Sequence, residues 1–524
     1  MTPERPQKAF NPWLIALVVM IATFMEVLDT SVANVALPHI AGNLSSTVDE
    51  ATWVLTSYLV ANAVVLPLGG YFGMLFGRKR FYMTCVLLFT VSSLLCGLAP
   101  SLPWLIFFRI MQGLGGGALQ PTSQAILVEN FPHEKRGAAM ALYGMGVVLA
   151  PIVGPVLGGW ITDNYSWHWI FLINVPVGAL SLFLTYRMVH DPPTLKRASI
   201  KEGFQVDYLG IGILTLGLAA LEIVLDEGQR RDWFASNLIV VCAVLAVVCL
   251  VGVVFYLLKK DHPILDLRLL KDRNFAVSTV MLFVLGFVLY GSLAVLPIFL
   301  QTLLGYTASL SGWILSPGGV VILFMMPLVA RLLKFVDTRK LIAFGFMTCG
   351  AGLLWMSAFN LQVPFQTAMM SRMLQSLGLA FLFIPMNVTA FQNVPMDKTS
   401  YATGMLNLVR NIGGSTGIAL VSTILSRRGQ VHQANLVGNL HPGSLQYQGF
   451  LQNAQHVLVA KGSSLPDAAH QAQGMAYGTL LRQANMMAFS DTFWIMGVLC
   501  FVLLPLLLLM RKTHAGQKPV VMDH

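Results

Sequence analysis

Six ionisable side chains sit where an ordinary soluble chain would not place them. Glu26, Asp29, Arg109, Glu222, Arg372 and Arg410 each fall inside a long apolar stretch. Charges in such surroundings are expensive and by default mark the path of an ion or a substrate. Glu26 and Asp29 are three residues apart, so on a helix they share a face. Removal from water favours a neutral carboxyl, whereas a neighbouring guanidinium favours the carboxylate. A carboxyl held between these influences can load and release a proton, which is what proton coupling requires. One charge crossing about 100 mV is worth roughly 2.3 kcal/mol, enough to drive about a fortyfold gradient. Arg109 does not lose its proton, so it can hold Asp29 ionised until substrate or proton displaces it. The alternative is a static ion pair between two helices. Glu26 is a candidate second proton site or a counter-charge for a cationic substrate. With Asn34, Gln112, Gln120, Asn407 and Arg410 it also forms the candidate substrate-binding set. Arg410 could equally pair with a helix end. Glu222, near the end of its stretch, reads as a snorkelling or loop-pairing residue. Asp163, Asp226 and Asp491 read as solvated helix-end acids.

A second group of residues could move rather than react. Pro151-x-x-Gly154-Pro155-x-x-Gly158-Gly159 lies within one apolar stretch. Each proline removes a backbone hydrogen bond and bends a helix. Gly154 and Gly158, one turn apart, make a small-residue packing face. The set reads as tight packing, as a hinge and seal between halves, or as both. Arg78 and Lys79 complete the candidate gating residues. Other chemistries lack their residues. There is no phosphate-cradling Gly-x-x-x-x-Gly-Lys-Ser/Thr, His-Glu-x-x-His, serine elbow or Asp-rich metal cluster. Two carboxylates with arginines do not make a nucleophile, metal or general-base set, so an enzyme is not expected. Neither is a cofactor or metal; the energy source would be a proton gradient.

The elements that hold these residues follow from composition. Of 524 residues, 56% are hydrophobic and 11% charged, against roughly 25% charged in an average soluble domain. Fourteen apolar runs are long enough to cross a bilayer: 13–36, 52–72, 81–99, 103–128, 138–161, 168–186, 207–225, 236–258, 275–299, 310–333, 340–358, 366–392, 401–425 and 490–511. They should be helices, because lipid satisfies no backbone polar group and barrel-like alternation is missing. The first run is too long for a signal core and carries two acids, so it is not a cleavable signal. All six cysteines fall within runs, which implies small apolar packing residues rather than a disulfide framework.

The net charge of +10 could suggest nucleic acid, but its distribution argues against it. With the N-terminus cytoplasmic, cytoplasmic segments hold 24 Lys and Arg, outer segments six, and helices three. That is the positive-inside signal, and it puts both termini in the cytoplasm. Nine of the ten Trp residues fall near predicted outer ends, as an interfacial belt would.

The chain also repeats. Arg109-x-x-Gln112 in helix 4 matches Arg372-x-x-Gln375 in helix 12 at an offset of 263, and Gly154 falls on Gly417 at the same offset. Helices 1–6 therefore recur as 9–14, and helices 7 and 8 are inserted. This gives an N-terminal six-helix bundle (1–186), linkers with the inserted pair (187–274), and a C-terminal bundle (275–524). Residues 426–489 form a long polar outer loop, helical around 468–488, which reads as a cap, a docking surface or surface decoration. Parallel repeats suggest two bundles rocking about a central site.

Several of these segments resemble a known family. Leu28-Asp29-Thr30-Ser31-Val32-Ala33-Asn34-Val35-Ala36-Leu37-Pro38 resembles the helix 1 signature of fourteen-span drug:proton antiporters of the major facilitator superfamily. Arg109-x-x-Gln112-Gly113 and Gly154-Pro155-x-x-Gly158-Gly159 resemble that superfamily's helix 4 and antiporter motifs. Trp167-His168-Trp169-Ile170-Phe171-x-x-Asn174-Val175-Pro176 and Asp226-x-Gly228 are similar to the EmrB-type subgroup. The resemblance implies an all-α polytopic fold of fourteen helices, six plus two plus six. It implies proton-driven, alternating-access export of amphipathic compounds across a bacterial inner membrane, with a membrane-fusion adaptor and an outer-membrane channel as partners. Export of one natural compound, such as a fatty acid, siderophore or secondary metabolite, is the alternative. One motif departs: Met74 stands where the loop 2–3 motif has an Asp, which would leave Arg78 and Lys79 without their usual partner.

Overall fold

The computed structural model describes residues 11–191, 207–260, 263–395 and 398–511. Most of the linker 187–206 and both chain ends lie outside the described residues, as does the side chain of Met74. No strand occurs among the described residues. The helices are α1 (Pro12–Asn43), α2 (Trp53–Val65 and Leu68–Phe76), α3 (Arg78–Gly97), α4 (Leu102–Gly116 and Leu119–Asn130), α5 (His133–Asn164), α6 (Trp169–Leu172 and Asn174–Met188) and α7 (Tyr208–Glu227). They continue as α8 (Asn237–Lys259), α9 (Arg273–Ile298), α10 (Ala308–Leu332), α11 (Thr338–Ser357), α12 (Phe365–Ala390), α13 (Thr399–Val437) and α14 (Leu465–Val502).

Eleven helices among the described residues are long and apolar enough to cross a bilayer, or twelve with the two arms of α5 taken as one span. Fourteen is reached only by also counting α2 and α4, each broken in two. Both breaks have local causes. Pro67 has no N–H to continue the ladder of α2. The run Gly113, Gly115, Gly116 and Gly117 weakens α4 at its middle. The same glycines let the backbones of α2 and α4 meet. A Cβ added at Gly113 would strike the Tyr58 carbonyl, and one at Gly117 the Asn62 carbonyl. α5 bends by 43° at Pro151.

Helix pairing recurs between the halves. α1 packs on α5, α3 on α4 and α6, and α2 on α4; α9 packs on α13, α11 on α12 and α14, and α10 on α12. The halves meet through two contacts related by the repeat, α5 on α10 and α2 on α13, and also through α4 against α13 and α5 against α12. Helix α7 packs against α8 and α2 and also reaches α13. α8 has the highest mean hydropathy of the spans, 3.4, and exposes Val241, Val244, Val247, Val248 and Phe255, as a lipid-facing helix would. Trp104, Trp160, Trp169, Trp313 and Trp494 are also exposed, whereas Trp167 is buried.

The expected loop 426–489 is mostly helical. α13 runs to Val437, a separate helix covers Leu445–Ala460, and α14 already begins at Leu465. Both spans thus extend well past their apolar parts. The helical segment expected around 468–488 is the first half of α14. Ser464 caps that helix, accepting from the Asp467 amide.

Candidate functional site

Asp29 and Arg109 form the centre of a fully buried cluster. Arg109 Nη1 lies 2.5 Å from Asp29 Oδ2. Asp29 Oδ1 accepts from Gln112 Nε2 at 3.0 Å and from Asn174 Nδ2 at 2.7 Å. Every one of these contacts donates to Asp29. Arg109 also donates through Nε to the Val54 carbonyl at 3.0 Å and through Nη1 to Gln112 Oε1 at 2.9 Å. Its guanidinium lies 4.1 Å from the centre of the Tyr58 ring, where cation–π attraction adds to the pairing. Helices α1, α2, α4 and α6 each contribute, so the pair locks together most of the first half.

Glu26, one turn earlier on α1, is buried but touches no cation among the described residues. Its Oε1 accepts from Asn62 Nδ2 at 3.0 Å and Tyr58 Oη at 3.3 Å, and its Oε2 from Gln120 Nε2 at 2.8 Å. Gln120 Oε1 in turn accepts from Arg410 Nη2 of α13. A single amide therefore links a carboxylate of one half to a guanidinium of the other. Arg410 Nη2 also donates to Asn407 Oδ1 at 2.8 Å, and Asn407 Nδ2 to Gln124 Oε1 at 2.6 Å. Gln124 Nε2 reaches Asn387 Oδ1 at 2.7 Å. The contacts Gln120–Arg410, Asn407–Gln124 and Gln124–Asn387 cross between the halves and hold them together.

The structure thus brings Glu26, Asp29, Arg109, Gln112, Gln120, Asn407 and Arg410 into two adjoining clusters. Asn34 stays apart, exposed on α1. Sequence reading misses Tyr58, Asn62, Gln124, Asn174 and Asn387. Asn174 lies inside the motif that begins at Trp167, but nothing in its spacing aims it at Asp29.

The hinge residues sit differently. An added Cβ at Gly154 would strike Ser31, and one at Gly158 would lie 2.9 Å from Val32 Cγ1, both on α1. They close α5 onto α1 within the first half, and Gly159 faces Val35. The contact between halves uses other residues of α5: Gly144 against Phe383 and Met326, and, from within the same stretch, Val156 against Gly312. Arg78 is not left without a partner. It pairs with Glu129 at the end of α4, and both side chains are buried. The Lys79 amide donates to Asp191 Oδ1 at 2.8 Å and its Nζ to the Tyr186 carbonyl at 2.6 Å.

Three acids also correct the sequence reading. Glu222 is buried and accepts from Ser415 Oγ of α13 at 2.5 Å, so it does not snorkel. Asp226 accepts from Thr56 of α2 and is not a free solvated acid. Asp491 pairs with Arg428 at 2.5 Å and His432 at 2.8 Å. Asp163 is exposed as expected. A cleft of about 450 Å³ opens between the extended parts of α13 and α14, lined by Ser422, Ser426, Gln430, Gln433 and Asn485. None of the charged site residues lines it.

Two alike halves of membrane-length helices, joined by buried polar groups, are the architecture of a multi-pass membrane transporter. The sequence profile of the Major Facilitator Superfamily matches residues 19–418, and the chain belongs to that superfamily. It is 33% identical over 507 residues to the multidrug export protein EmrB of Escherichia coli (strain K12), covering 97% of this chain and 96% of that protein. It is 35% identical to the fatty acid resistance protein FarB of Neisseria gonorrhoeae, covering 95% of this chain and 96% of the other. Among solved structures, the proton:xylose symporter XylE aligns with a TM-score of 0.61 at 14% identity, covering 96% of this chain and 97% of that one.

Proposed function

We propose that this protein exports amphipathic small molecules in exchange for protons, as the permease of a drug-efflux system in a bacterial inner membrane. Similarity to multidrug export proteins along nearly the whole chain supports the export of varied compounds. The observation that carries proton coupling is the buried Asp29–Arg109 pair with uncompensated Glu26 beside it. Protonating Asp29 would remove the charge that holds Arg109 and free an anchor of α1 on α4. Protonating Glu26 would weaken its tie, through Gln120, to Arg410 of the other half. Proton loading at these carboxyls is thereby linked to the contact between halves, which is the coupling an alternating-access exchanger needs. Both termini lie in the cytoplasm in this reading, following the basic segments. The helical projection of α13, Leu445–Ala460 and α14 then faces the periplasm, where a membrane-fusion adaptor leading to an outer-membrane channel would dock.

Everted membrane vesicles test this reading. With a respiration-driven pH gradient, adding a transported amphipath should partly collapse the gradient in vesicles holding the protein and leave it intact in empty ones. Substrate flux without proton movement would overturn the coupling; absence of flux across a broad panel would overturn export.

A further inference from the structure

The second half carries the arginine of the first half's ion pair without its acid. The offset of 263 that maps Arg109 onto Arg372 and Gln112 onto Gln375 also maps Asp29 onto Ser292. The contacts follow the same map. Arg372 Nη1 donates to Gln375 Oε1 at 2.5 Å and to Ser292 Oγ at 3.3 Å, as Arg109 Nη1 does to Gln112 and Asp29. The remaining support is missing. Arg109 leaves only Nη2 without a partner, because its Nε donates to the Val54 carbonyl. Arg372 leaves both Nε and Nη2 buried and unpartnered. Gln112 Nε2 donates to Asp29, whereas Gln375 Nε2 is buried with nothing to donate to. No aromatic ring stacks on Arg372 among the described residues, in contrast to Tyr58 and Phe171 on Arg109. The Arg372 side chain is fully buried. The sequence offers no nearby acid either. Between residues 273 and 466 the only acidic residues are Asp337 and Asp397. Asp337 caps the start of α11, and Asp397 lies outside the described residues.

A buried guanidinium cannot shed its charge, and an uncompensated buried charge is costly. In the first half the compensation is built in. We propose that in the second half it comes from outside: Arg372, with Ser292 and Gln375, forms a receptor for a monovalent anion that takes the place of the missing carboxylate. The fitting chemistry is a carboxylate, because a guanidinium presents paired N–H donors and both Nε and Nη2 are free to give them. The occupant is then the head group of an amphipathic anion in transit, and binding of a small inorganic anion such as chloride instead is an outcome the test distinguishes. In this conformation the seat is closed. Gly318 of α10 packs beside the stem of the Arg372 side chain, with an added Cβ 3.5 Å from Arg372 Cγ and closer to Ser376. Pro317 precedes that glycine and weakens the α10 ladder there, which allows the helix to bend away.

This inference rests on the exporter reading for its substrate source, but it can fail independently. The test is equilibrium binding of radiolabelled octanoate and, in parallel, of labelled chloride to the full-length protein in nanodiscs. Ser292→Asp would supply the internal acid and should weaken binding of the cognate anion more than tenfold. Ser292→Asn, similar in size to that variant but neutral, should retain binding. Melting temperature checks folding, and Ser292→Asp should melt no lower than wild type. Octanoate binding lost in Ser292→Asp and kept in Ser292→Asn supports the receptor and assigns it to carboxylate substrates. The same pattern for chloride alone supports the receptor with an inorganic occupant. Wild type binding neither anion overturns it, as do two variants that both bind like wild type or both lose binding equally. Export of tetraphenylphosphonium by wild type is measured separately. Its failure would count against the exporter reading and leave the anion result to stand on its own.

Discussion

Midway along its helices, the first half of this transporter holds two buried acids, Glu26 and Asp29, and one buried arginine, Arg109. The second half holds the buried arginines Arg372 and Arg410 and no acid within helices α9 to α13. The scaffold around both is alike. An arginine reaches a glutamine one turn on, and the same helix pairs enclose it. What differs in charge is the occupant of one position on the first helix of each half, Asp29 or Ser292. One such change separates a self-compensated ion pair from an uncompensated cation. The repeat thus preserved geometry while the charges divided: carboxyls on one side, guanidiniums on the other, with Gln120 bridging Glu26 to Arg410 where they meet.

The largest effect expected from this contrast is on stability. Arg109→Met leaves Asp29 as an unpaired buried carboxylate and should cost about 3–5 kcal/mol. Arg372→Met removes a cation that has no acid to abandon and should be close to neutral or mildly stabilising. Chemical denaturation of the two variants in the same detergent measures the difference; equal losses would break the comparison. Next comes Glu26→Gln. It keeps the size of the side chain but removes its charge, so transport of cationic substrates should fall about tenfold, the equivalent of about 1.4 kcal/mol. Neutral substrates should be affected less, as competition assays would show. The smallest effect concerns the inserted helix. Glu222→Ala leaves the half-buried Ser415 hydroxyl without its carboxyl partner and should cost about 1 kcal/mol, whereas Glu222→Gln, which can still accept from it, should cost less. Thermal melts order the pair.

Much of this is legible in the sequence. The apolar runs locate the helices, and the Arg-x-x-Gln match locates the repeat. Asp29 and Arg109 are visible as charges because their neighbours along the chain are apolar. What stays hidden depends on tertiary proximity. Gln120 and Arg410 are 290 residues apart, and no local pattern joins them. Glu129 and Arg78 are likewise distant in sequence, and the fold of α4 brings them together. From α7 alone Glu222 reads as snorkelling or loop-pairing and Asp226 as solvated, because the packing of α2 and α13 on that helix leaves no local mark. The extension of α13 and α14 beyond the apolar runs is hidden for a different reason. Hydropathy marks where lipid ends, not where a helix ends, and the polar residues that follow include good helix formers.

The most direct test of the central claim is proton release on substrate binding. Purified protein in weakly buffered detergent solution is mixed with a transported amphipath, and the pH change is followed with an indicator dye. Wild type and Arg372→Gln should release protons with substrate, while Asp29→Asn should release fewer and the Asp29→Asn/Glu26→Gln double variant none. Undiminished release from a correctly folded double variant that still binds substrate would contradict the assignment of proton coupling to these two carboxyls.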